Sequence, residues 1–216
     1  MCVPRRPVDL LFAVDLRSPT STHVRHLWHI AYTVISGIRM DNDLARISFV
    51  PESPTGRRRS QAELPPVWGR DVVIQRRGDA TLLAGNRTSS KSVVEVVGEL
   101  VEALRRRYRQ ARERTDSRER RRRRRRTVGV YLTDGRSLDT AGTVYHLGRL
   151  ARRLPRRVDL FGVGVGREIS GAQLASVARG RLDRVLTVFT GSSTKQSFRS
   201  PRKLSTRLSR LICRRR

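Results

Sequence analysis

Short apolar runs alternate with longer amphipathic stretches along the chain. Residues 8–14, Val-Asp-Leu-Leu-Phe-Ala-Val, form a nearly continuous apolar run that ends at Asp15, the profile of a strand buried on both faces. Leu27, Ile30, Ala31, Val34, Ile35 and Ile38 then recur at spacings of three and four, which predicts a helix over 22–37. Strands are expected over 45–50 and, briefly, over 72–74. Between them, 51–70 carries Pro51, Pro54, Gly56, Pro65 and Pro66 and reads as a long exposed loop. From residue 92, Val93, Val96, Val97, Leu100, Val101 and Leu104 place an apolar face on a helix that runs out into 105–126 with almost nothing apolar. Its first half packs and its second half is solvated. A strand to Leu132 follows, then a helix over 140–154, a strand over 158–165, a helix over 171–178, a strand over 185–189 and a helix over 203–212.

Strands separated by helices need crossover connections, so the pattern predicts an α/β fold, doubly wound, with a mostly parallel central sheet and helices on both faces. In such folds ligands bind outside the carboxyl ends of the strands. Asp15 and Asp134 both stand at such ends. Two carboxylates at neighbouring strand ends repel unless a cation lies between them or one is protonated. Mg²⁺ suits the first case, taking one or two carboxylates plus hydroxyls and waters, and Ser18, Ser21 and Thr88 offer hydroxyls nearby in sequence. The plainer alternative is that both aspartates cap loops or helix starts.

The length of 216 residues suits one domain with a full core. Lys and Arg number 47 against 19 Asp and Glu, a formal charge of +28, which favours contact with anionic polymers or surfaces. Seven consecutive arginines, Arg120, Arg121, Arg122, Arg123, Arg124, Arg125 and Arg126, head a set of clusters whose plainest reading is a solvated segment. Aromatics make up 5% of the chain and are almost absent from these runs, so nonspecific polyanion attraction is favoured over base readout. No stretch approaches the roughly 20 apolar residues of a membrane span, and no apolar signal core follows the first six residues. The chain is therefore intracellular, or a piece of a secreted protein whose signal lies upstream. Its two cysteines, Cys2 and Cys213, are either free thiols or a bridge closing the two ends. Gly162-Val-Gly164-Val-Gly166 lacks the full Gly-x-Gly-x-x-Gly order of a dinucleotide loop. His23, His26 and His29 have no fourth ligand nearby and read as solvent-facing or interface histidines. No nucleophile elbow or phosphate loop is present. Asn86-Arg87-Thr88 is an N-glycosylation triplet, a reading that competes with Thr88 as an ion ligand.

The opening Cys2-Val-Pro-Arg-Arg-Pro-Val-Asp9-Leu-Leu-Phe-Ala-Val-Asp15 resembles the start of a von Willebrand factor type A domain of the matrilin kind. Thr133-Asp134-Gly135-Arg136-Ser137-Leu138-Asp139 is similar to that family's fourth-strand motif, and Val158-Asp-Leu-Phe-Gly-Val-Gly-Val-Gly166 to its fifth strand. Leu174-Ala-Ser-Val-Ala178, Leu182-Asp183-Arg184-Val185 and Leu208-Ser-Arg-Leu-Ile-Cys213 continue the likeness in order. The resemblance implies one domain over 1–213, with 51–70 and 105–126 as insertions and 214–216 as a basic tail, and it implies pairing of Cys2 with Cys213. It also implies a metal-ion-dependent adhesion site built from Asp15, Ser18, Thr88 and Asp134. Strict spacing puts Arg17 and Pro19 where the family has hydroxyls, and a one-residue deletion brings Ser18 into register. The guanidinium of Arg17 offers a fixed charge in place of the ion, since arginine pairs with carboxylates in a planar fork. The function implied is a secreted, noncatalytic module that binds a matrix or cell-surface protein at the strand ends, with Mg²⁺ as the expected ion. The competing expectation is an arginine-driven binder of sulfated glycan or nucleic acid that works through Arg120 to Arg126 and carries a vestigial ion site.

Overall fold

Among the residues that the computed structural model describes, 2–4, 7–15, 21–38, 45–50, 92–113, 125–135, 141–188 and 197–213, six strands form one sheet in which each pairing is parallel. The strands are β1 (Val8–Asp15), β2 (Ala45–Val50), β3 (Arg126–Thr133), β4 (Asp159–Val165), β5 (Val185–Val188) and β6 (Ser197–Phe198), in the spatial order β2-β1-β3-β4-β5-β6. The helices are α1 (Ser21–Gly37), α2 (Val93–Glu113), α3 (Ala141–Arg152), α4 (Gly171–Val177) and α5 (Pro201–Cys213).

The continuous apolar runs have the two-sided burial they predict. Successive side chains of a strand point to opposite faces. Leu10 and Phe12 of β1, Val128, Val130 and Leu132 of β3, and Phe161, Val163 and Val165 of β4 meet α1 and α5 on one face. Leu11 and Ala13, Tyr131, and Leu160 meet α2, α3 and α4 on the other. Glycine is used where a helix comes close. A Cβ on Gly129 would lie 2.6 Å from Leu104 Cδ1, and one on Gly162 would lie 2.9 Å from the carbonyl oxygen of Leu174.

Helix starts follow local rules. Ser92 and Glu95 form a reciprocal box: the Ser92 N–H donates to Glu95 Oε2 at 2.6 Å and the Glu95 N–H to Ser92 Oγ at 3.2 Å, which satisfies donors the helix itself leaves open. Ser170 Oγ accepts from the Gln173 N–H at the start of α4. Pro201 opens α5 at the position where a missing N–H costs nothing.

The predicted elements recur with small boundary shifts: α5 begins at Pro201 instead of residue 203 and closes on Cys213. The Arg-rich stretch 105–126 begins as the last turns of α2 and ends as the first residue of β3. Its middle, 114–124, lies outside the described residues, as do the expected loop 51–70, the expected strand 72–74 and the tail 214–216. Strand β6 is an addition that sequence periodicity did not predict. A Cys2–Cys213 disulfide, Cα to Cα 6.2 Å, joins the start of the chain to the end of α5. Cys2 also donates its backbone N–H to the Gly37 carbonyl at 2.7 Å, at the end of α1.

Candidate functional site

The chain leaves β1 toward β2 on one side, while β3 and every later strand lie on the other. The carboxyl ends of β1 and β3 therefore flank the point where strand order reverses, the crevice in which open α/β sheets bind ligands. Asp15 ends β1 and pairs in register with Thr133, the last residue of β3; Asp134 follows at once. Both carboxylates are buried, with 0% and 1% of their surface exposed.

Tyr131 is the residue that sequence reasoning missed. Its ring packs among the side chains facing α2, α3 and α4, and its hydroxyl donates to Asp15 Oδ2 at 2.7 Å. A hydrogen bond to the charged form favours the carboxylate. The available signal was a tyrosine inside an otherwise apolar strand, since a buried phenol needs a partner for its O–H. Past Thr133, the Gly135 N–H donates to Thr133 Oγ1 at 3.2 Å. Gly135 adopts φ +85, and a Cβ there would sit 2.8 Å from Ile169 Cα and 2.9 Å from the Glu168 carbonyl oxygen. The segment after β4 thus packs onto the turn that carries Asp134 and holds it against the sheet.

Oxygen donors dominate this rim: two carboxylates, with a threonine and a tyrosine hydroxyl close in sequence and register. Such a set suits a hard cation better than a soft one. Among the described residues no cluster of three or more His, Cys, Asp or Glu side chains forms a metal-binding group. Ser18, Thr88, Arg17 and Asn86 lie outside the described residues.

At the opposite edge, where the strands begin, the charge pattern inverts. Arg126 Nε donates to Asp159 Oδ2 at 2.6 Å, and Arg126 Nη1 donates to the Ile212 carbonyl at 2.6 Å. Arg184 donates to the other oxygen of Asp159 and lies over the Phe161 ring, 5.7 Å from its centroid. Arg125 approaches Asp9 at 3.6 Å. Two of the seven consecutive arginines therefore have carboxylate partners within the fold; Arg120 to Arg124 lie outside the described residues. Nearby, burial lowers the pKa of the Arg179 guanidinium, and Asp159 opposes that shift.

No protein-family model matches the chain, and no curated protein matches it in sequence. Solved structures do match it in shape. Proximal thread matrix protein 1 from the mussel byssus superposes with a TM-score of 0.59 at 13% identity over 99% of this chain and 50% of that protein. The chain has the von Willebrand factor type A fold. A structure of the same mussel protein with a zinc-occupied MIDAS motif gives 0.54 at 12% identity, covering 99% of this chain and 48% of that one. Human COPII-coat protein Sec24c also gives 0.54, at 12% identity over 97% of this chain and 32% of its own. The chain thus spans about half the length of the mussel protein. Within the type A fold, Asp15 and Asp134 occupy the strand ends that the sequence resemblance assigns to the ion-binding face.

Proposed function

We propose that the chain is a noncatalytic, extracellular protein-binding module of the adhesion and matrix type, gripping its partner at the rim that holds Asp15 and Asp134. The observation that carries this reading is the pair of buried carboxylates at adjacent strand ends on the switch point. A divalent cation between two carboxylates offsets their mutual repulsion. Asp15 and Asp134, with the hydroxyls of Ser18 and Thr88, would hold Mg²⁺. When bound, it supplies a coordination position for an acidic side chain of the partner.

The partner class proposed is a matrix or cell-surface protein. The disulfide supports an oxidising compartment, and the likeness to a matrix protein agrees with it. Among the described residues no helix is long and apolar enough to cross a membrane. The domain is taken to run over 1–213, with 51–70 and the undescribed part of 105–126 as additions to its surface.

Thermal denaturation of the full chain with and without Mg²⁺ tests the ion. A ligand at 100 times its Kd stabilises the folded state by about 2.7 kcal/mol, so the midpoint should rise with Mg²⁺ in the wild type and not in Asp134→Asn. Arg17→Ser, which puts a hydroxyl where strict family spacing expects one, should strengthen the response. Equal responses in wild type and Asp134→Asn, or none in either wild type or Arg17→Ser, would remove the ion from this reading.

A further inference from the structure

We infer that a linear sulfated glycan binds a second surface, formed by Arg149, Arg152, Arg153, Arg156 and Arg157 at the end of the molecule opposite Asp15 and Asp134. Each helix of a doubly wound parallel sheet runs back against its strands. The C-terminal turns of α2 and α3 therefore lie toward the edge where the strands begin. There Arg149, Arg152 and Arg153 stand exposed on and just after the last turns of α3. Arg156 and Arg157, also exposed, form the corner of a turn closed by the Val158 N–H on the Pro155 carbonyl at 3.0 Å. None of the five makes an ion pair among the described residues. No acidic residue occurs from 141 to 158.

Arg149 and Arg152 are one helical step of three residues apart, about 5 Å along the last turn of α3, and Arg153, Arg156 and Arg157 continue the basic row in the turn that follows. The row is also pre-ordered. Leu154 is buried beneath it, and Arg179 donates through both Nη atoms to the Pro155 carbonyl at 3.2 Å, so the turn is fixed before any ligand arrives. Fixing a binding segment in advance lowers the entropic cost of association. In the same helical layer Arg106 and Arg109 are exposed on α2, with no acid between Glu102 and Glu113.

Guanidinium forks take sulfate and phosphate oxygens alike, so the kind of polyanion is decided by the rest of the face. Nucleic-acid grooves carry several aromatics for stacking, whereas the exposed rings on α3 are Tyr145 and its edge-on neighbour His146. Membrane-surface helices insert apolar side chains, whereas Leu147 and Leu154 point inward and Leu150 is half-buried. The disulfide favours an oxidising compartment, where the available polyanion is a sulfated glycan.

The test is binding of the full, disulfide-bonded chain to heparin as a function of salt, beside an Arg149→Ser/Arg152→Ser/Arg156→Ser/Arg157→Ser variant and a control with Arg120 to Arg123 changed to serine. All four α3-side changes are at exposed positions, so folding is checked simply by circular dichroism. Each lost ionic contact lowers the slope of log K against log salt by about 0.7 to 0.9. The variant should therefore lose about three units of slope and at least tenfold in affinity at physiological salt, with the control changed less. Asp134→Asn should bind heparin as the wild type does, which separates this surface from the strand-end rim. The inference is overturned if the α3-side variant binds like wild type, if the control loses more, or if charge-matched duplex DNA or phosphatidylserine vesicles bind more tightly than heparin.

Discussion

Tyr131 turns an apolar strand into part of the rim, because its hydroxyl is the donor that meets Asp15 Oδ2. Tyr131→Phe keeps the ring and removes that donor, leaving a buried acceptor short of its bond. The expected loss is about 1–3 kcal/mol in denaturant unfolding. Gly135 is a second point of sensitivity. At φ +85 an alanine is strained, and its Cβ would press on Ile169 Cα and the Glu168 carbonyl. Gly135→Ala should cost about 2 kcal/mol or more, read in the same unfolding experiment, and should weaken any Mg²⁺ response by displacing Asp134. Asp15 and Asp134 were legible in the sequence because an apolar run ending in a carboxylate announces a strand end. Tyr131 was not, because only register shows that its hydroxyl can reach a residue 116 positions away.

Among the elements, β3 and β4 are joined at their starts by charge as well as by backbone pairing. Asp159 carries Arg126 on one oxygen and Arg184 on the other, with side-chain exposures of 3%, 18% and 6%. Removing the carboxylate strands two guanidinium groups in a largely dry setting. Asp159→Ala should therefore lower stability by about 3–5 kcal/mol, measured by guanidinium or urea unfolding. Arg126 also donates to the Ile212 carbonyl at the end of α5, where a cation suits the helix terminus, so this change should loosen α5 in hydrogen exchange.

Most of these elements could be read from periodicity. Apolar residues at steps of three and four from Leu27 to Ile35 specify α1, and six apolar residues among the eight of β1 specify that strand, because long patterns leave little ambiguity. The two-residue β6 has no such pattern and exists only through its pairing with β5. The fate of Arg125 and Arg126 was hidden for a related reason. A run of identical arginines carries no internal mark of where solvated charge ends and the strand begins; the carboxylates of Asp9 and Asp159 set that boundary from elsewhere in the chain.

For the molecule as a whole, a charge of +28 opposes compaction through self-repulsion, and one covalent link, whose two cysteines both pack on the apolar layer of α1 and α5, joins distant parts of the chain. The Cys2–Cys213 bridge spans 211 positions. In the chain-entropy account a loop of that length is worth roughly 5 kcal/mol, so reduction should lower the urea midpoint strongly and, by letting the denatured chain expand, raise the unfolding slope. The sequence resemblance implied this pairing, whereas composition alone left free thiols equally open.

That link also decides how the molecule answers tension. With residues 2 and 213 only 6.2 Å apart at their Cα atoms, a pull applied outside the two cysteines is carried by the sulfur–sulfur bond, and the sheet between them bears almost none of it. An oxidised copy under tension would act as a short inextensible link with its sheet undistorted. The reduced copy would transmit the same load through its strands and lengthen by unravelling.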